Sequence, residues 1–176
     1  MADVDGRDPV IRVPGRFETF YREEYPRVVG LVYGLSGNAW VAEDLAQEAF
    51  LRAHRDWDRV TTLASPAAWV RRVAINLAIS RFRRLRSEAR ARLRLSARAT
   101  PLDVSAVQHD TFWAEVRRLP DRQAQAIALR YIDDLSVAEI ATVLEVAEGT
   151  VKALLHQGRT RLARQLTSKG WVDGGR

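Results

Sequence analysis

The sequence predicts an all-α protein made of two small helical domains joined by a flexible linker. Three observations carry that expectation. Apolar residues recur at three-and-four spacing over most of the 176 residues, the period of amphipathic helices. Helix start signals stand ahead of those stretches, at Asn38, at Ser65-Pro66 and at Ser136 with Glu139 three places on. Between the two periodic halves, residues 87–107 change from an Arg/Ala/Leu mixture, whose first part can extend the helix before it, to Thr-Pro and Ser-Ala, a linker composition.

In order, residues 1–16 hold two Pro and two Gly, show no periodicity and are expected to be a mobile tail. Phe17, Phe20, Tyr21, Tyr25, Val28, Val32 and Leu35 then mark a first helix, which Pro26 is expected to kink or interrupt. A second helix is expected from about Trp40 to Arg55. Ala42, Leu45, Ala46, Ala49 and Ala53 share its inner face, and Asp44, Gln47, Glu48 and Leu51 lie opposite. Residues 56–65 read as a loop. A third helix starts at Ser65-Pro66 and runs to about Arg86, with Trp69, Val70, Val73 and Leu77 as its core stripe. The C-terminal half, residues 108–166, reads as four short helices, followed by a tail at 167–176. Asp110 can cap the first of them, which carries Phe112, Trp113, Val116 and Leu119. Pro120 opens the second, in which Ala124, Ile127, Ala128 and Tyr131 line up. Ser136-x-x-Glu139 starts the third, and after the turn Glu145-Val146-Ala147 the fourth carries Val151, Leu155, Gly158 and Leu162 inward. A capped short helix, a three-residue turn and a second amphipathic helix make a helix-turn-helix.

The net charge is +6, and its distribution says more than its size. Ten Arg and one Glu lie between Trp69 and Arg98, so the rest of the chain carries a net −3. One basic stripe on a near-neutral body fits a polyanion. No cysteine is present, which removes disulfides and thiolate metal sites and fits a cytoplasmic setting. The N-terminal run lacks an apolar core segment and is not expected to be a signal peptide. No apolar run reaches bilayer length, so no membrane insertion is expected. His54, His109 and His156 are scattered, and no Gly-rich phosphate loop or paired-carboxylate site is visible, so neither catalytic residues nor cofactor nor metal is expected.

Several ordered motifs resemble one family. Leu119-Pro120-Asp121-Arg122-Gln123, Ala128-Leu129-Arg130-Tyr131, Leu135-Ser136-x-x-Glu139-Ile140-Ala141-x-x-Leu144 and Glu148-Gly149-Thr150-Val151-Lys152 resemble region 4 of extracytoplasmic-function (group IV) sigma factors of the sigma-70 family. Ala42-Glu43-Asp44-Leu45-x-Gln47-Glu48-x-Phe50-Leu51-x-Ala53 resembles region 2.2, and Pro66-x-x-Trp69-Val70-x-x-Val73-Ala74-x-Asn76-x-Ala78 resembles regions 2.3 and 2.4. The resemblance implies a region 2 bundle of three to four helices at residues 17–86 and a four-helix region 4 at 108–166. It implies a sigma factor that binds core RNA polymerase and directs promoter recognition, DNA melting and transcription initiation. Asp44, Gln47, Glu48 and Leu51 would face the polymerase. Arg72, Asn76, Arg81, Arg83 and Arg84 would bind and help melt the −10 element. Gly149, Thr150, Lys152, Ala153, His156, Gln157 and Thr160 would face the −35 element as duplex. The resemblance also leaves room for an anti-sigma factor covering the polymerase-binding surface. The alternative is a helix-turn-helix regulator, or a degenerate sigma-like protein, that binds DNA without starting transcription.

The chain departs from the family pattern at four places. Glu145 stands where the turn usually has Gly, Ala147 where the recognition helix has a Ser cap, Ala153-Leu154 where a Ser-Arg pair is common, and Ser80 where Asp often follows the Asn. Glycine suits a positive φ in that turn, so glutamate is expected to strain it or force a different one. A weaker or altered −35 preference is the expected consequence.

Overall fold

The computed structural model describes residues 16–95 and 111–168. The expected tail before Arg16, residues 96–107 of the expected linker, the Asp110 cap and residues 169–176 lie outside the described residues, as do the side chains at 86, 87 and 89–95. Every regular element among the described residues is helical.

Helix α1 spans Arg16–Ser36 and passes through Pro26 without a break. Pro26 is on the exposed side, where the carbonyl freed by its missing N–H can bond to water. Gly37 ends α1 in the left-handed region at φ 68° and donates its N–H to Tyr33 O at 2.7 Å. Helix α2, Ala39–Arg55, starts on Asn38, whose side chain accepts from Val41 N at 3.0 Å. It buries Ala42, Leu45, Ala46, Ala49, Phe50 and Ala53. The small residues on that face let α1 and α2 approach closely, and Phe50 fills the end of the seam among Phe20, Tyr21 and Tyr25.

The stretch read as a loop contains a single turn of helix, α3, Trp57–Val60. No side-chain cap starts it. Its cause is tertiary: Trp57 packs on Phe17 and Phe20, each ring 5.1 Å away, and Val60 is fully buried. Helix α4 begins at Pro66 with Ser65 Oγ accepting from Ala68 N at 3.1 Å. It continues to Leu95, past the Arg86 end expected from the sequence. No Gly or Pro interrupts that extension, and Arg, Ala, Leu and Glu are strong helix formers.

The second half holds α5 (Thr111–Val116), α6 (Asp121–Tyr131), α7 (Val137–Leu144) and α8 (Glu148–Ser168). Ser136 Oγ accepts from Glu139 N at 3.3 Å, while Glu139 Oε2 accepts from Ser136 N at 2.8 Å. This reciprocal pair is the expected capping box at the start of α7. Val151, Leu155, Gly158 and Leu162 are all buried, as the sequence period requires. Tyr131 departs from its expected line and stands 53% exposed at the end of α6.

One hydrophobic core lies within the first half, between α1, α2 and α4. The other is shared between the halves. Leu31, Ala68 and Ile75 of the first half join Val116, Leu119, Ile127, Leu129, Ile140, Leu144 and Val151 of the second. Helix α4 therefore carries two apolar stripes. Val70, Ala74 and Ala78 face α1 and α2, and Ala68 and Ile75 face the second half.

Candidate functional site

The outer face of α2 is built by the helix period. With Leu45 and Ala46 turned inward, Asp44, Gln47 and Leu51 are exposed and Glu48 is half-buried. Leu51 is 60% exposed. It lines a groove with Phe17, Tyr21, Gln47, Phe50 and His54, between α1 and α2. An apolar floor with an acidic and amide rim suits an amphipathic partner with basic residues. Glu48 is braced by Arg52 at 2.8 Å. Trp40, which the sequence reading did not single out for function, stands 83% exposed at the start of the same helix.

The basic candidates lie along α4, but not on one face. Asn76, Arg83 and Arg84 are exposed. Arg84 is an i,i+4 neighbour of Glu88 at 3.4 Å, a contact too exposed to hold it firmly. Arg81 turns toward α2 and donates to Asp44 Oδ2 at 3.0 Å. One −10 candidate is thus bonded to one polymerase-facing candidate. Arg72 points toward the second half, where its guanidinium is paired with Glu145. Ahead of the helix, the Arg59 guanidinium sits 5.7 Å from the centre of the Trp69 ring and joins the α3 turn to α4.

In the helix-turn-helix, Gly149, Thr150, Lys152, Ala153 and His156 are exposed at the start of α8. Gln157 is exposed but accepts a hydrogen bond from the buried Gln123 side chain at 3.0 Å. Thr160 is half-buried, and its hydroxyl donates to His156 O at 2.9 Å. The open part of this candidate face is therefore the first turns of α8, and Gln157 and Thr160 are tied to neighbouring groups. In the turn, Glu145 holds φ 53°, the left-handed conformation that glycine takes most readily. Of the two expected outcomes, strain is the one observed. The glutamate keeps the turn geometry and α7 ends on it.

Sequence reasoning missed Arg71, whose side chain is only 4% exposed. Its Nη2 lies 2.8 Å from Glu24 Oε2 of α1, and its Nε donates to Asp133 Oδ2 of the second half at 2.7 Å. The Asp133 side chain is 2% exposed. Burial raises its carboxyl above the ordinary value, opposed by the hydrogen bond and charge of Arg71. The signal was present, because Arg71 falls between Ala68 and Ile75 on the second apolar stripe of α4. Among the described residues no group of three or more His, Asp or Glu could hold a metal ion. No helix among them is long and apolar enough to cross a membrane.

Comparison with known proteins agrees with this architecture. Residues 20–88 match the family model of sigma-70 region 2, and residues 109–162 match that of sigma-70 region 4. The chain is 33% identical over 155 residues to the ECF RNA polymerase sigma factor SigW of Bacillus subtilis, covering 80% of this chain and 83% of that protein. It is 31% identical over 162 residues to the ECF RNA polymerase sigma factor SigM of Mycobacterium tuberculosis, covering 90% and 80%. In fold it is similar to the sigma factor RpoE of Bartonella quintana, solved with the anti-sigma factor NepR. That likeness has a TM-score of 0.69 and 23% identity, over 89% of this chain and 98% of the other. The paired domain matches and the two relatives, each aligned across most of both chains, place this protein in the sigma-70 family: it belongs to the ECF RNA polymerase sigma factors.

Proposed function

We propose that this chain binds core RNA polymerase through the outer face of α2 and directs it to promoters, with α4 working at the −10 element and α8 at the −35 element. The observation that carries the reading is the acidic and apolar outer face of α2 standing beside α4, on which Asn76, Arg83 and Arg84 are exposed. A partner held by the first delivers its DNA to the second. In this reading Asp44, Gln47, Glu48 and Leu51 touch the polymerase, and the α1–α2 groove receives an amphipathic segment of it. An anti-sigma factor of the same chemistry would compete there.

At the −10 element, unstacking or flipping a base costs a few kcal/mol. Asn76, Arg83 and Arg84, held on a rigid helix, offset that cost through base-edge and phosphate contacts, with Arg72 and Arg81 joining once released from Glu145 and Asp44. At the −35 element, Lys152 meets a phosphate and His156 reaches a base edge or phosphate. Gly149, Thr150 and Ala153 let the start of α8 sit close to the groove, while Gln157 and Thr160 have weaker roles because their polar groups already have partners.

Reconstitution with core polymerase and promoter DNA, followed by mapping of start sites, tests the reading. Specific starts are expected. A chain that binds promoter DNA but neither binds polymerase nor supports starts is a regulator rather than an initiation factor. Asp44→Ala with Gln47→Ala is expected to weaken core binding at least tenfold with unchanged helicity, and unchanged binding would remove α2 from the interface.

A further inference from the structure

We propose that Trp40 is a further anchor for core RNA polymerase: its exposed indole extends the acidic and apolar face of α2 by one turn and seats a basic helix of the polymerase at the N-terminal end of that face. The proposal rests on the polymerase reading given above and adds to it a residue that carries much of the affinity. It begins with a ring that has no place in the fold. Trp40 is 83% exposed and belongs to neither hydrophobic core. Asn38 caps α2 without it. The inner face is complete without it too, with Ala42, Leu45, Ala46, Ala49 and Ala53 buried. An indole can bury 150–250 Å² of surface, roughly, and here almost all of it meets water.

A single exposed apolar residue is ordinary. What sets Trp40 apart is its register. Trp40, Asp44, Gln47, Leu51 and His54 follow one another at steps of four, three, four and three, and all five are exposed. Steps that average about 3.5 residues keep one seam of a helix turned toward a second helix. Trp40 and Leu51 stand about 16 Å apart along the axis, at about 1.5 Å per residue. The stripe is therefore apolar toward both ends and polar between them. Glu43 and Glu48 flank its middle.

That order of groups selects the occupant. Carboxylates at Glu43, Asp44 and Glu48 lie within about two turns of the ring and repel a phosphate backbone, so DNA is a poor partner for this end of α2. A basic helix is the complement. The apolar stem or planar head of one of its arginines covers the indole, with the charge directed toward Asp44 one turn on. A second, apolar side chain enters the groove beside Leu51. Continuity with the rest of the α2 face makes core polymerase the source of that helix. Docking there has a consequence for α4. Asp44 now holds Arg81 at 3.0 Å through an exposed contact. A cation placed over Trp40 competes for the same carboxylate and so releases Arg81 toward the −10 element.

The test is competition of the full chain and its variants for core polymerase. Trp40→Ala should weaken core binding at least about tenfold, the scale on which a tryptophan anchor acts at an interface. Trp40→Phe should recover part of that loss. The urea midpoint of Trp40→Ala should match the wild type, because the ring packs on neither core. Its binding loss should persist at high salt, since apolar burial is not screened, whereas the loss in Asp44→Ala with Gln47→Ala should shrink. Wild-type core affinity in Trp40→Ala overturns the proposal. A binding loss that comes with a lower urea midpoint overturns it too, because the ring is then a structural part of α2. Wild-type core affinity with loss of promoter opening, read by permanganate reactivity, puts the ring on DNA instead. The underlying reading stands or falls separately. If the Asp44 and Gln47 double variant weakens binding and Trp40→Ala does not, only the Trp40 anchor fails; if neither does, α2 is not the interface.

Discussion

Glu145 is the residue at which two energies compete in plain view. A non-glycine residue in the left-handed region costs on the order of 1–2 kcal/mol. Its pair with Arg72 is mostly exposed on the glutamate side, and such pairs return about 0.2–1 kcal/mol. Strain wins, so Glu145→Gly is expected to raise the unfolding free energy by about 1 kcal/mol, measured by urea denaturation, even as it removes the Arg72 pair. Nine residues upstream, the capping box sets a pH dependence. The hydrogen bond from the Ser136 hydroxyl, with a second from its backbone, lowers the Glu139 carboxyl below its ordinary 4.5. The folded form therefore binds that proton less tightly than the unfolded form. Its contribution is full above pH 4.5 and is lost as pH falls through the lowered value. Stability of the wild type should drop in that acid window, and Glu139→Gln should flatten the drop. Ser136→Ala should cost about 1 kcal/mol at neutral pH.

At the scale of the helix, α4 shows what a sequence period can and cannot disclose. Its start at Ser65-Pro66 was legible because a cap is local chemistry, and so were the caps at Asn38 and Ser136. Its far end was legible only as a choice, because the Arg/Ala/Leu run can extend the helix but grades into linker composition with no stop signal between. The turn at α3 was hidden for a different reason: Trp57 and Val60 are helical only because Phe17 and Phe20 lie across the chain from them. The same division holds in the candidate sites. The α2 face followed from spacing alone, whereas the pairing of Arg81 with Asp44 and of Arg72 with Glu145 depends on how helices meet. This division yields a prediction for α4. Among the described residues neither Arg83 nor Arg84 is bonded to another helix, and the exposed Arg84 contact with Glu88 lies within α4, so both can turn to a phosphate. Replacing both with Ala should lower the slope of log affinity against log salt by about 1.4–1.8, at 0.7–0.9 per phosphate. An unchanged slope would place the DNA elsewhere. On α8, where Gln157 is bonded to the buried Gln123 and Thr160 to the backbone of its own helix, single base changes in the −35 element should alter transcription less than single changes in the −10 element.

At the scale of the molecule, the shared core makes the two halves one thermodynamic unit, and Arg71 is the group on which that unity depends most. A cation only 4% exposed between two carboxylates is held by a 2.7 Å hydrogen bond to Asp133 and a 2.8 Å ion pair with Glu24, so its removal leaves both carboxylates without that counter-charge. Breaking a buried pair in this way typically costs about 3–5 kcal/mol. The first half keeps its own core between α1, α2 and α4, so that cost falls on the seam rather than on the α2 face. Wild-type unfolding should therefore be a single transition, with far-ultraviolet dichroism and tryptophan fluorescence coincident, since Trp113 packs at the seam and Trp57 and Trp69 report the first half. In Arg71→Met the second half should detach first, and the two probes should separate. Adding Glu24→Gln and Asp133→Asn removes the stranded charges, and coincidence should return in part because the apolar packing of Ile132 against Gly30 and Gly34 remains. If Arg71→Met still unfolds in one coincident step at wild-type stability, the buried triad does not join the halves, and the apolar seam alone holds them together.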